Sequence, residues 1–119
     1  MPSHHNARVR EDVQRELSAI LRELTDPRVI DAMLSVVKIN LAPDLTDCKV
    51  YVSSLKGREA AVLAVAALKA GSGFVRHELG SRLKLRHTPT LIFIADDSIE
   101  HSADISRILG KLGVHNNDD

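Results

Sequence analysis

The residues that could do chemistry are densest between Ala70 and His87, where Gly71-Ser72-Gly73 precedes Arg76, His77, Gly80, Arg82, Lys84 and Arg86. Two glycines so close together admit backbone conformations and approaches closed to larger residues. A helix that starts after them opens with unpaired N–H groups that favour an anion. Arg76, Gly80 and Lys84 step by four, so on a helix they share one side with His77 beside them, away from Val75, Leu79 and Leu83. Cations on one face, with Gly80 leaving room for a close approach, are suited to a phosphate backbone. Arg82 stands apart, because its helical angle lies nearer Val75 than Arg76 and so flanks the core. The competing reading is that the glycines only break a helix and the cations only solvate its outer face.

Other candidates are weaker. Asp96, Asp97 and Glu100 could gather a divalent cation for hydrolytic chemistry, as a nuclease would need. The simpler reading is that Asp97 or Ser98 caps a following turn. None of the six histidines falls in an H-x3-H or H-E-x-x-H pattern, and Cys48 has no companion at zinc-binding spacing, so no metal is expected. No P-loop, dinucleotide turn or nucleophile elbow occurs, so neither a cofactor nor catalysis is expected. Arg8, Arg10 and Arg15 form a further basic group, but Glu11, Asp12 and Glu16 interleave with them. That group reads first as a solvated face and only second as a phosphate contact.

The elements that must position these residues follow from periodicity. Val9, Val13, Leu17, Ile20, Leu21 and Leu24 recur at helical spacing and predict an amphipathic helix over Arg8 to Leu24. Asp26 and Pro27 then read as a turn, with Arg28 the member of that string to test for a polyanion contact. Met33 to Leu41 reads as a strand with Val37, Ile39 and Leu41 on one face, and Cys48, Val50 and Val52 mark a second strand, antiparallel to the first. Ala61, Ala64, Val65 and Leu68 form the stripe of a fourth element, a helix of small residues, and a further helix follows the glycine break. Leu91 to Ala95, without polar alternation, reads as a buried third strand. Ile105, Ile108, Leu109 and Leu112 predict a short closing helix. The expected fold is α+β, ordered α-β-β-α-α-β with a three-stranded sheet covered by helices on one face and partly wet on the other. Residues 1–7 are expected to be flexible, 8–112 to form one domain, and 113–119 to be a frayed tail.

Composition sets outer bounds. The 119 residues, 44% hydrophobic and 27% charged, suit one globular core. Aromatic residues make up 3%, namely Tyr51, Phe74 and Phe93, too few for a reader that stacks several bases on exposed rings. A single cysteine and the absence of any long apolar run point to a cytoplasmic protein with no membrane contact. Sixteen basic and sixteen acidic side chains give zero net charge. The balance is uneven, however: residues 69–87 hold five cations against Glu78, whereas 88–119 hold two against six acids. A polyanion feels local charge within a Debye length of ~8 Å, so the middle segment is the expected contact surface.

The element order, the glycine break between helices, and the strings Asp26-Pro27-Arg28, Gly73-Phe74-Val75-Arg76, Leu85-Arg86-His87-Thr88-Pro89 and Phe93-Ile94-Ala95-Asp96-Asp97-Ser98 resemble the ribosome-binding factor A family. The likeness runs from about Arg8 to Leu112. It implies a type II KH-like domain that binds the immature small (30S) ribosomal subunit and its 16S rRNA, and promotes late maturation and rRNA processing without catalysis, notably in the cold. It also implies an assembly GTPase as partner, and a monomer is expected. The resemblance places Arg76, Arg82, Lys84 and Arg86 against rRNA. A standard KH domain clamps the backbone with a GxxG loop, whereas this family has an Ala-x-Gly kink, at which Gly71 here replaces the alanine. Gly73→Leu is accordingly expected to strain the kink and weaken RNA binding. The alternative function is a small protein-interaction domain, acting through its sheet edge or open sheet face and not on RNA.

Overall fold

In the computed structural model of the chain, residues 2–96 are described, as seven elements. Helix α1 spans Pro2–Glu23, α2 Pro27–Ala32, β1 Leu34–Leu41, β2 Asp47–Ser54, α3 Arg58–Ala70, α4 Ser72–Leu83 and β3 Thr90–Ala95. The closing helix, the carboxylates Asp97 and Glu100 and the tail lie outside the described residues. Helix α1 begins at Pro2 rather than Arg8.

Helix α2 replaces the expected turn. Asp26, extended at φ −64° and ψ 124°, accepts the Arg28 N–H at 2.8 Å as an N-cap, and Pro27 supplies the preset φ of a first helical residue. The Arg28 guanidinium folds back on the same carboxylate at 3.0 and 3.2 Å. The string Asp26-Pro27-Arg28 is therefore a helix start. Met33, left-handed at φ 51°, ends it and turns the chain into β1.

Strand β2 is central, antiparallel to β1 and parallel to β3. The parallel pairing requires a crossover, which α3 and α4 supply. Cys48, Val50 and Val52 of β2 are fully buried, and Leu91 and Phe93 of β3 face the same side. Val13, Leu17 and Ile20 of α1, Ala64 and Leu68 of α3, and Val75 and Leu79 of α4 close over them. Helix α1 packs on β1 and α4, and α3 on β2 and β3. The alanines of α3 let it lie close to the sheet.

Two strand readings are corrected. Register shifts between Val36 and Lys38, so Val37 is the unpaired residue of a bulge, 38% exposed, and Val36 takes the inward place beside Ile39. Gln14 of α1 reaches the bulge, its Nε2 donating to Val36 O at 3.4 Å. Strand β3 is an edge strand buried on one face only, with Ile92 37% exposed on the other. An unbroken apolar run marks burial on both faces only where something covers both. The open face carries Lys38, Asn40, Lys49, Tyr51, Ile92 and Ile94 in paired rows, with the Lys38 ammonium 4.8 Å from the Tyr51 ring centre.

Candidate nucleic-acid interface

Helices α3 and α4 meet at Gly71, which ends one and begins the other with φ −101° and ψ 16°. Phe74 and Val75 N–H donate back to Gly71 O at 3.1 and 3.2 Å, and no side chain caps α4. Its first turn is thus a partly positive end. Gly73 is exposed there, and a Cβ on it would meet nothing within 4 Å. The strain expected of Gly73→Leu has nothing to arise from; a larger side chain would only stand in the way of an approaching backbone. Ser72 is half-buried between the two glycines.

Gly80 has a different role from the one expected. A Cβ there would lie 2.3 Å from Thr88 Oγ1, so the absent side chain admits the protein's own loop, not a ligand. Arg76 belongs to the same contact. Its Nε donates to Thr88 O at 3.1 Å and Pro89 O at 3.2 Å, and its Nη2 donates to Thr88 O at 2.7 Å. The guanidinium keeps its charge, since carbonyls neutralise nothing, but its hydrogen bonds face the loop.

Arg82 turns to the core side, as its helical angle indicates. It donates to the Glu23 carboxylate on α1 through both Nη1 and Nη2, and lies 3.3 Å from Glu78 and 4.0 Å from Glu16. The Arg82 hydrogen bond holds the Glu23 carboxyl below its ordinary value of 4.5, and the same pair raises the Arg82 pKa. Three carboxylates cancel the Arg82 charge, which removes it from the basic face and makes it a strap between α1 and α4. Arg15 is likewise occupied, by Asp12 at 3.1 Å and Glu16 at 3.8 Å.

Lys84 and Arg86 remain. Both are exposed and neither has an ion-pair partner among the described residues. Lys84 ends α4 in the left-handed region at φ 55°, which swings the chain off the helix axis and carries Arg86 into the loop beyond. His77 is exposed on the outer side of α4, and Lys69 is exposed just before the kink. Sequence reasoning missed Thr88, whose partner Gly80 is eight positions away, and Phe74, 58% exposed beside the kink. Phe74, Gly71, Asp26 and Val29 border a depression of about 250 Å³. Among the described residues no three His, Cys, Asp or Glu side chains are grouped to hold a metal, and no helix is long and apolar enough to cross a membrane.

Residues 5–109 match the family described as ribosome-binding factor A. The ribosome-binding factor A of Clostridium tetani is 44% identical over 113 residues, covering 94% of this chain and 93% of its own. The one from Caldanaerobacter subterraneus is 42% identical over 117 residues, covering 98% and 95%.

The chain belongs to the ribosome-binding factor A family.

The crystal structure of ribosome-binding factor A from Thermus thermophilus superposes with a TM-score of 0.66 at 27% identity, covering 75% of this chain and 92% of that one. A homology model of the Thermus thermophilus protein, fitted into a cryo-EM map of a complex with the 30S subunit, matches at 0.64 and 25% identity, covering 76% and 93%. Within the ribosome-binding factor A frame, the Gly71 departure from Ala-x-Gly costs no geometry. Its φ is negative and a Cβ there would meet Ala67 O at 3.6 Å, an ordinary contact, so an alanine would fit the same kink.

Proposed function

We propose that this protein binds the immature 30S ribosomal subunit, contacts its 16S rRNA through α4 and the loop after it, and promotes late maturation and rRNA processing without catalysing a step. The observation that carries this reading is the surface formed by the open kink at Gly71-Ser72-Gly73, the outer side of α4 with His77, and the uncompensated cations Lys84 and Arg86. Membership of the family supports it, as does the complex into which the Thermus thermophilus relative was fitted. The protein acts as a cytoplasmic monomer, and an assembly GTPase would govern its release. A binding protein shifts an RNA folding equilibrium only by holding one arrangement more tightly than the other. Slow rearrangement of misfolded RNA helices at low temperature increases the need for that bias.

The test is binding to purified immature and mature small subunits across a salt series. Tighter, salt-sensitive binding to the immature form, weakened in Lys84→Glu/Arg86→Glu, is the expected result. Equal affinity for both forms would remove state selection, and an unaffected double variant would move the contact elsewhere. A second reading, protein docking, is favoured by the exposed apolar side chains Ile30, Met33 and Leu63, which border a cleft of about 650 Å³ between α2 and α3. Capture of a partner protein by RNA-free chain, lost in Met33→Asp/Leu63→Asp, would support it.

A further inference from the structure

We infer that Arg76 is a positioning residue that clamps the loop 84–89 to α4 and so holds Lys84 and Arg86 ready for phosphates, rather than itself meeting the RNA. This rests on the proposed binding of rRNA through that surface. The loop is fixed at both ends. At its start, Lys84 N–H and Leu85 N–H both donate to Gly80 O, the latter at 3.1 Å. At its end, Thr88 O takes two hydrogen bonds from Arg76 and Pro89 O takes one, while the Thr88 side chain fills the notch left by the missing Gly80 Cβ. Pro89 is buried, and Thr90 N–H then enters the sheet region by donating to Thr46 O at 2.9 Å.

Between these anchors the chain is short, and its two exposed cations inherit their positions from it. Ordering a loop on binding costs conformational entropy, and a loop ordered beforehand spares that cost. Only an arginine does this work here: its planar fork reaches two successive carbonyls at once, which a lysine ammonium on a flexible stem does not reproduce. For Arg76 to present its Nε–Nη2 fork to a phosphate, it would have to abandon those carbonyls and release the loop that carries Lys84 and Arg86.

A double-mutant cycle separates the two roles. Arg76→Lys keeps the charge and lies on an exposed position, so the fold should persist, as checked by circular dichroism. We expect it to bind immature subunits about tenfold more weakly than the native chain, and to speed amide exchange at residues 85–88 in the free protein. In a Lys84→Ala/Arg86→Ala background the same substitution should change affinity less than twofold, because nothing remains for the clamp to position. A full Arg76 effect in that background would overturn the proposal and make Arg76 a direct contact. Unchanged loop exchange in Arg76→Lys would also overturn it. No binding by the native chain would defeat the functional reading, while the exchange measurement would still report whether Arg76 holds the loop.

Discussion

Arg82 and Arg86 carry the same side chain four residues apart, one on α4 and one in the loop after it, yet their charges have different fates. Arg82 lies among Glu16, Glu23 and Glu78, and Arg86 faces solvent with no acidic partner among the described residues. Arg86→Ala should lower the slope of log affinity against log salt by roughly 1, at little cost in stability, whereas Arg82→Ala should lower the urea midpoint and leave the slope alone. The pH dependence follows from Glu23. Its pKa in the folded state is depressed by Arg82, so its stabilisation is fully present above the unfolded value near 4.5 and is lost as pH falls through the folded value. Urea midpoints measured from pH 6 downward should show that acid loss in the native chain and less of it in Arg82→Ala. Cys48 sits at the opposite extreme of accessibility: burial in the core pushes its thiol up to about 11, so thiol reagents at pH 8 should label it only after denaturation.

At the scale of elements, the two helix glycines that sequence spacing treats alike prove different. Gly73 is in open space within α4, so Gly73→Ala should raise stability by roughly 0.5–1 kcal/mol, the usual gain over glycine inside a helix, read as a shift in urea midpoint. Gly80→Ala would bring its new Cβ to 2.3 Å from Thr88 Oγ1, so it should destabilise the protein and loosen the loop. Adding Thr88→Ala should restore much of that loss, since the Thr88 Cβ itself lies at 3.5 Å and removing the hydroxyl clears the contact. Without such rescue, the Gly80–Thr88 contact is not what makes glycine necessary. The edge strand β3 depends on its inward face: Phe93→Ala should cost about 3–5 kcal/mol by calorimetry or urea titration, as removal of a buried aromatic side chain does.

For the whole molecule, the net charge of zero is the wrong summary of its electrostatics. The α1–α4 contact consumes Arg82 in pairing, and Arg15 is taken up within α1, while the kink, α4 and the following loop keep their positive charge on one side. Phosphate contacts depend on that local field, so affinity for immature subunits should fall steeply with salt despite neutrality overall. The helices covering one sheet face give this surface a rigid base. The other sheet face, with Lys38 over Tyr51, stays open beside it.

Much of this was legible in the chain itself, because helical and strand periodicities report which side of an element meets the core whatever the partner is. The two long helices flanking the kink, the inward faces of β2 and α3 and the outlying angle of Arg82 all follow from spacing. The short helix α2 was hidden, since Asp-Pro serves equally as a turn or as a capped helix start and only the following contacts with α3 select the helix. The Val37 bulge and the one-sided burial of β3 were hidden too, because they depend on register and on which strands lie beside them. The division of labour on α4 was set by tertiary structure alone. Arg76 and Gly80 share a face with Lys84 on any helical wheel, but the return of the chain at Thr88 and Pro89 brings carbonyls and a hydroxyl against that face, and so turns two of the three inward to the protein and leaves the third exposed.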